Sequence, residues 1–159
     1  MRIEKRLKKL GIELPIIDET YYGTKYGKMK PYHRMGSWLC LSGQTPDLGD
    51  GTAFHPGVVG TDVSVEDAYQ AARLTGINCI AAIKNAVGDL DNVVFLVRSL
   101  NFVPCAPGFT RPHEVASGLS DLFDEVFGPE IGIGCRATIG VTSLANNYCF
   151  ESWVDLEVR

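Results

Sequence analysis

The 159-residue chain has three histidines and five cysteines, and no two of the cysteines stand in a CxxC pair. Scattered in this way they give no zinc signature and no paired redox motif, so no metal is expected. GxxxxGK[ST], HExxH and GxSxG are all missing, which removes phosphate loops, zincins and the hydrolase elbow. No run of about 18 apolar residues occurs. The charged N-terminus MRIEKRLKKLGIEL has no apolar stretch before a small-residue cleavage site. We therefore expect a cytoplasmic protein with free thiols and no membrane partner. An excess of positive charge is missing too: the net charge is −4 and the isoelectric point about 5.3. Such a balance offers no general attraction to a phosphate backbone, which argues against a nucleic-acid partner.

What is present is a globular composition, 45% hydrophobic. At this length one core suffices, burying about 70% of the surface exposed by the unfolded chain. The expectation is a single domain over residues 1–159, with 1–28 an N-terminal helix and extended arm. Ile3, Leu7 and Leu10 recur at helical spacing and Gly11 stops them, which predicts a helix over residues 2–10. From Asp18 to Arg34, tyrosines alternate with lysines and Arg34. This stretch is either an aromatic and basic arm or an extended segment whose tyrosines pack on the domain.

Trp38 to Leu41 reads as a strand that closes on Ser42-Gly43-Gln44, and Val58-Val59 as a brief second one. Ser64 and Asp67 resemble a capping box, and the apolar stripe from Ala68 to Ala86 ends at Gly88, which predicts a long helix. The near-continuous hydrophobicity of Val93 to Val103 predicts a strand covered on both faces. Val115 to Val126 reads as a second long helix stopped by Gly128-Pro129. Arg136 to Leu144 and Cys149 to Val158 read as two final strands around Asn146 and Asn147. The order is that of an α+β or mixed α/β domain with both long helices on one face of the sheet.

Gly132 to Ala137 spells GxGxxA, but it follows a helix and opens a strand, the reverse of a dinucleotide-binding fingerprint. Alternation predicts that Ala137, Ile139 and Val141 face the core, while Arg136 and Thr138 leave it. On the pattern alone Arg136 is either a bidentate carboxylate grip or a surface ion-pair residue. In the last strand Phe150, Val154 and Leu156 are expected inside and Glu151, Trp153 and Asp155 outside, so Glu151 would share the open face with Arg136. There it is either a general base for water or a solvated carboxylate. Ser42 donates to a ligand or closes a turn.

The ordered set Leu41-Ser42-Gly43-Gln44, Ala71-Ala72-Arg73-Leu74, Gly88-Asp89-Leu90-Asp91-Asn92-Val93, Ala106-Pro107-Gly108-Phe109-Thr110, Ser120-Asp121-Leu122 and Arg136 to Val141 with Glu151 resembles the YjgF/RidA family. This family also carries the description endoribonuclease L-PSP-like. The resemblance spans about residues 30–158. It implies a chorismate-mutase-like α+β fold, a mixed sheet backed by two helices, assembled as a homotrimeric barrel with sites between subunits. It also implies hydrolytic deamination of reactive enamines and imines to 2-keto acids and ammonia, without a cofactor. Arg136 matches the family's substrate-carboxylate anchor, Glu151 the acidic residue that orients water, and Ser42 a hydroxyl lining the site. The family's pocket tyrosine falls on Met29, its usual asparagine near Ser117, and its common cysteine on Thr138. The anchor is kept while the lining has changed, so the expected partner is a small carboxylate-bearing substrate. Two other functions stay open at this point: a non-catalytic carboxylate-binding or regulatory trimer, and an endoribonuclease or translation inhibitor.

Overall fold

The computed structural model describes residues 2–17 and 26–159. Helix α1 (Arg2–Lys9) buries Ile3 and Leu7. Its first turn is capped from a distance: the Arg2 and Ile3 N–H groups donate to Asp91 at 2.6 and 2.9 Å. Those bonds hold the Asp91 carboxyl well below the usual carboxylate range, because they favour its charged form. Within the predicted arm, Thr20, Tyr21, Tyr22 and Lys25 lie outside the described residues. The tyrosines that follow them pack on the domain. Tyr26 and Tyr148 share a hydroxyl contact of 3.0 Å, and Asn85 donates to the Tyr32 hydroxyl at 3.2 Å.

Part of that arm is a strand that periodicity did not show. β1 (Tyr32–Met35) and β2 (Trp38–Leu41) form a hairpin joined only by Gly36 and Ser37. β1 is an exposed edge, which explains why no apolar alternation marks it. The predicted strand at Val58-Val59 reduces to isolated bridges from Val59 to Val63 and Cys105.

Helix α2 (Val65–Val87) begins as its sequence requires. The Ser64 side chain accepts the Asp67 N–H at 3.1 Å, and Gly88 closes the helix at positive φ. β3 (Val93–Pro104), α3 (Pro112–Phe127), the short α4 (Pro129–Gly132), β4 (Cys135–Val141) and β5 (Glu151–Val158) follow. The sheet order is β1-β2-β5-β3-β4, parallel between β3 and β4 and antiparallel elsewhere.

Both long helices lie on one face of this sheet, and the core is the layer between them. Phe150, Val154, Leu156 and Val158 pack there with Leu39, Val103, Ala72, Ile83, Leu119 and Phe123, all at most 1% exposed. The expectation that β3 is covered on both faces needs correction. Its inner residues Leu96, Ser99 and Asn101 are buried, whereas Phe95 on the other face is 40% exposed. That second face also carries Trp38, Ile139 and Trp153, each about half exposed. Among the described residues no helix is long and apolar enough to cross a membrane.

Candidate functional site: an anchor half and a water half

Residues directly paired across a sheet share a face, so the register fixes where each candidate points. Arg136 pairs with Ser99, and Ser99 with Val154, which is fully buried. Arg136 and Thr138 therefore lie on the helix side, and Ala137 and Ile139 on the open side. This reverses the expected facing of β4. The physical reason is that β4 is an edge strand whose apolar residues serve the open face, while α3 offers Arg136 two hydroxyls. The Arg136 Nη1 donates to Ser117 Oγ at 3.3 Å and to Ser120 Oγ at 3.2 Å. Among the described residues, no carboxylate partner of Arg136 is found.

Beside this guanidinium lies a cup of about 160 Å3, lined chiefly by Leu96, Ser99, Ser120, Ile133, Gly134 and Arg136. Gly134 makes it possible, because a Cβ there would sit 2.2 Å from the Leu96 carbonyl oxygen. The GxG of residues 132–134 is thus a packing corner that aims a strand. Beneath the cup runs a polar row on the core face: Thr138, Asn101 and Ser152 are aligned across β4, β3 and β5. The Asn101 amide donates to Ser99 Oγ at 3.3 Å and to the Ala137 carbonyl at 3.2 Å. Asn101 Oδ1, Thr138 Oγ1 and Ser152 Oγ are buried without a hydrogen-bond partner among the described residues.

Glu151 is elsewhere. It pairs with Phe102, which pairs with Ile139, a row on the open face. The expectation that Arg136 and Glu151 share one face is therefore wrong within a single chain: they lie on opposite faces. Alternation separates a strand into two sets of residues but does not say which set meets the helices. The Glu151 carboxylate accepts the Trp153 indole N–H at 2.8 Å, and Trp153 packs at a tilt against Phe102 with ring centroids 4.8 Å apart. A Cβ on Gly43 would lie 2.2 Å from Glu151 Oε1, so a larger residue there would push the Glu151 carboxylate out of its present position. Ser42 sits next to Gly43 and gives its hydroxyl proton to the Lys30 carbonyl. That bond closes the turn, one of the two roles open from the sequence. Met29, half-buried, precedes Lys30 in the same segment.

The structure thus gathers Arg136, Ser117 and Thr138 into one half-site, and Ser42, Glu151 and the Met29 segment into another. Ser120 and Ser99 were missed as site residues. Ser120 had a signal, since it lies one helical turn after Ser117. Ser99 had none, because strand pairing alone brings it to Arg136.

Residues 4–151 match the family model described as "YjgF/chorismate_mutase-like, putative endoribonuclease". The chain belongs to this family. Protein TCP17 of Trypanosoma cruzi is 35% identical over 143 residues, which cover 90% of this chain and 86% of that one. The crystal structure of Atu1372 from Agrobacterium tumefaciens superposes with a TM-score of 0.86 at 34% identity, covering 99% of this chain and 93% of that one. A structure from Shewanella oneidensis MR-1 gives 0.88 at 30% identity, covering 98% and 99%. The five-stranded mixed sheet backed by two long helices is accordingly a YjgF/chorismate-mutase-like α+β fold.

Proposed function

We propose that this protein hydrolyses small carboxylate-bearing imines or enamines, in clefts where copies of a homotrimer bring an anchor half against a water half. The observation that carries the reading is Arg136. It is a guanidinium held by two serine hydroxyls, with no acidic partner among the described residues, at the rim of a small cup. An arginine so placed keeps its charge available and offers a planar fork that a carboxylate accepts bidentately.

Hydrolysis then needs a water and a base near the imine carbon. Water adds to that carbon while a carboxylate takes its proton and passes it to the nitrogen, and the resulting carbinolamine gives up its hydroxyl proton to the departing ammonia, leaving the 2-keto acid; an enamine reacts through its imine tautomer. The atoms balance with water as the sole co-reactant. Glu151 is the base in this reading. Within one chain it lies on the face opposite Arg136, so the cleft requires Glu151 of a second copy. The half-exposed Trp38, Ile139 and Trp153 support such assembly, because an apolar sheet face of this kind is normally covered.

The test is ammonia release from enzymatically generated 2-imino acids. Arg136→Lys keeps the charge but loses the fork, and should weaken 2-keto acid binding by about 1–3 kcal/mol, with the melting temperature unchanged. Equal affinities for the two proteins would remove the anchor and the reading with it.

One observation favours a second reading, a carboxylate-binding trimer without turnover: Glu151 already spends Oε1 on the Trp153 indole. In that case the 2-keto acid binds, Glu151→Gln binds it equally, and no ammonia appears. The endoribonuclease named in the family description would show RNA binding that falls steeply with salt.

A further inference from the structure

We infer that Asn101 is a positioning residue for substrate recognition: it turns the Ser99 hydroxyl into a hydrogen-bond donor toward the cup, so that the cup presents donors to a carboxylate. The inference rests on the carboxylate-anchoring reading above and deepens it.

The placement of protons around Asn101 decides which groups can donate into the cup. Asn101 Nδ2 has two protons, and both are placed, one on Ser99 Oγ and one on the Ala137 carbonyl. The second bond fixes the amide orientation, since only the NH2 end can face a carbonyl oxygen. Ser99 Oγ therefore accepts from Asn101, and its own proton has no acceptor among the described residues. Ser99 lines the cup. Ser120 is in the same condition: its oxygen accepts from Arg136, and its proton has no acceptor among the described residues. Ser117 differs, because it spends its proton on the His113 carbonyl. The polar side chains that line the cup are thus Arg136, Ser99 and Ser120, each with hydrogen left to give.

A second observation supports a functional origin. Asn101 is fully buried, and among the described residues neither its Oδ1 nor the Thr138 and Ser152 hydroxyls beside it in the row has a hydrogen-bond partner. Each such atom costs stability, and a stretch of sheet selected for folding alone would place apolar side chains there. The unpaired row lies directly behind the residue that it orients.

The experiment is a double-mutant cycle of Ser99→Ala and Asn101→Val, read as affinity for pyruvate and for pyruvamide by calorimetry, with melting temperatures measured in parallel. Each single variant should weaken pyruvate binding about ten- to a hundredfold, the scale of one hydrogen bond to a charged group. The double variant should be no weaker than Ser99→Ala alone, because Asn101 acts through Ser99. Pyruvamide, with one acceptor oxygen fewer at that end, should respond less. Val is at home in a strand and removes an unpartnered buried carbonyl, so the fold should survive. Losses that add in the double variant, or an unchanged affinity in Ser99→Ala, would overturn the inference. If Arg136→Lys loses pyruvate while Ser99→Ala keeps it, the anchor stands and the Asn101 role falls. If the natural protein fails to bind pyruvate, both fall.

Discussion

The two faces of one sheet are built to different ends. On the helix side, alternate residues of β5, Ser152, Val154, Leu156 and Val158, are at most 1% exposed. On the other side, Glu151 and Trp153 of the same strand meet each other, Phe102 of β3 and the loop at Gly43. Burial on the first face makes the fold. The second face is half-finished, apolar enough to seek a partner yet carrying a carboxylate that an ordinary hydrophobic interface would exclude. A strand with a period of two can serve both ends at once, because each face takes every second residue.

The largest effect should come from breaking the first face. Phe150→Ala removes a fully buried ring from the core layer and should cost about 3–5 kcal/mol of stability, seen as a lower denaturant midpoint. If the loss is below about 1 kcal/mol, the layer has collapsed to fill the gap and the contrast between the faces weakens. Trp153→Glu attacks the second face instead. If the proposed homotrimer forms, this variant should shift the sedimentation coefficient from trimer to monomer while the helical circular dichroism stays. A monomeric natural protein at micromolar concentration would instead make the open face a free surface and remove the cleft.

The smallest effect lies on the outer surface of the helices, away from both faces. The Tyr69 hydroxyl donates to the Asp121 carboxylate at 2.6 Å, which pushes its pKa from 10.0 up to about 12. The neutral tyrosine is the stabilising form. Its contribution is therefore complete below about pH 10 and disappears as the pH rises through about 12. Tyr69→Phe should melt slightly below the natural protein at pH 8, and the gap should close in strong alkali. A gap that persists there would mean that the ring, rather than its proton, supports the helix pair.

The sequence shows clearly whatever is local. α2 could be bounded to the residue because Ser64 and Gly88 act within a single turn, and the α3 stop at Gly128 is of the same kind. The split of β5 into inner and outer residues was legible because Val154 and Leu156 are strongly apolar. β4 was misread because Ala137, Ile139 and Val141 look like a core set, and only the pairing of Arg136 with Ser99 and Val154 shows that they are not. β1 was missed because an exposed edge strand carries little pattern. Arg136, Glu151 and Ser42 could be singled out from the residues. That they form two separate halves could not, since residue pairing across β3 decides it.

The parallel pairing of β3 with β4 bears on how each half comes into being. The cup is assembled entirely from residues 96–136, one strand, one crossover helix and the next strand, so closing it orders a single short length of chain. The Glu151 half joins Gly43 to β5, 108 positions apart in sequence, and closes a far larger loop. If the proposed function holds, the carboxylate-anchoring half is thus closed by a short loop and the Glu151 half by a long one. Insertions between Gly43 and Val93 would lengthen only the second closure. A change in the length of that middle segment should therefore reach the surroundings of Glu151 before those of Arg136.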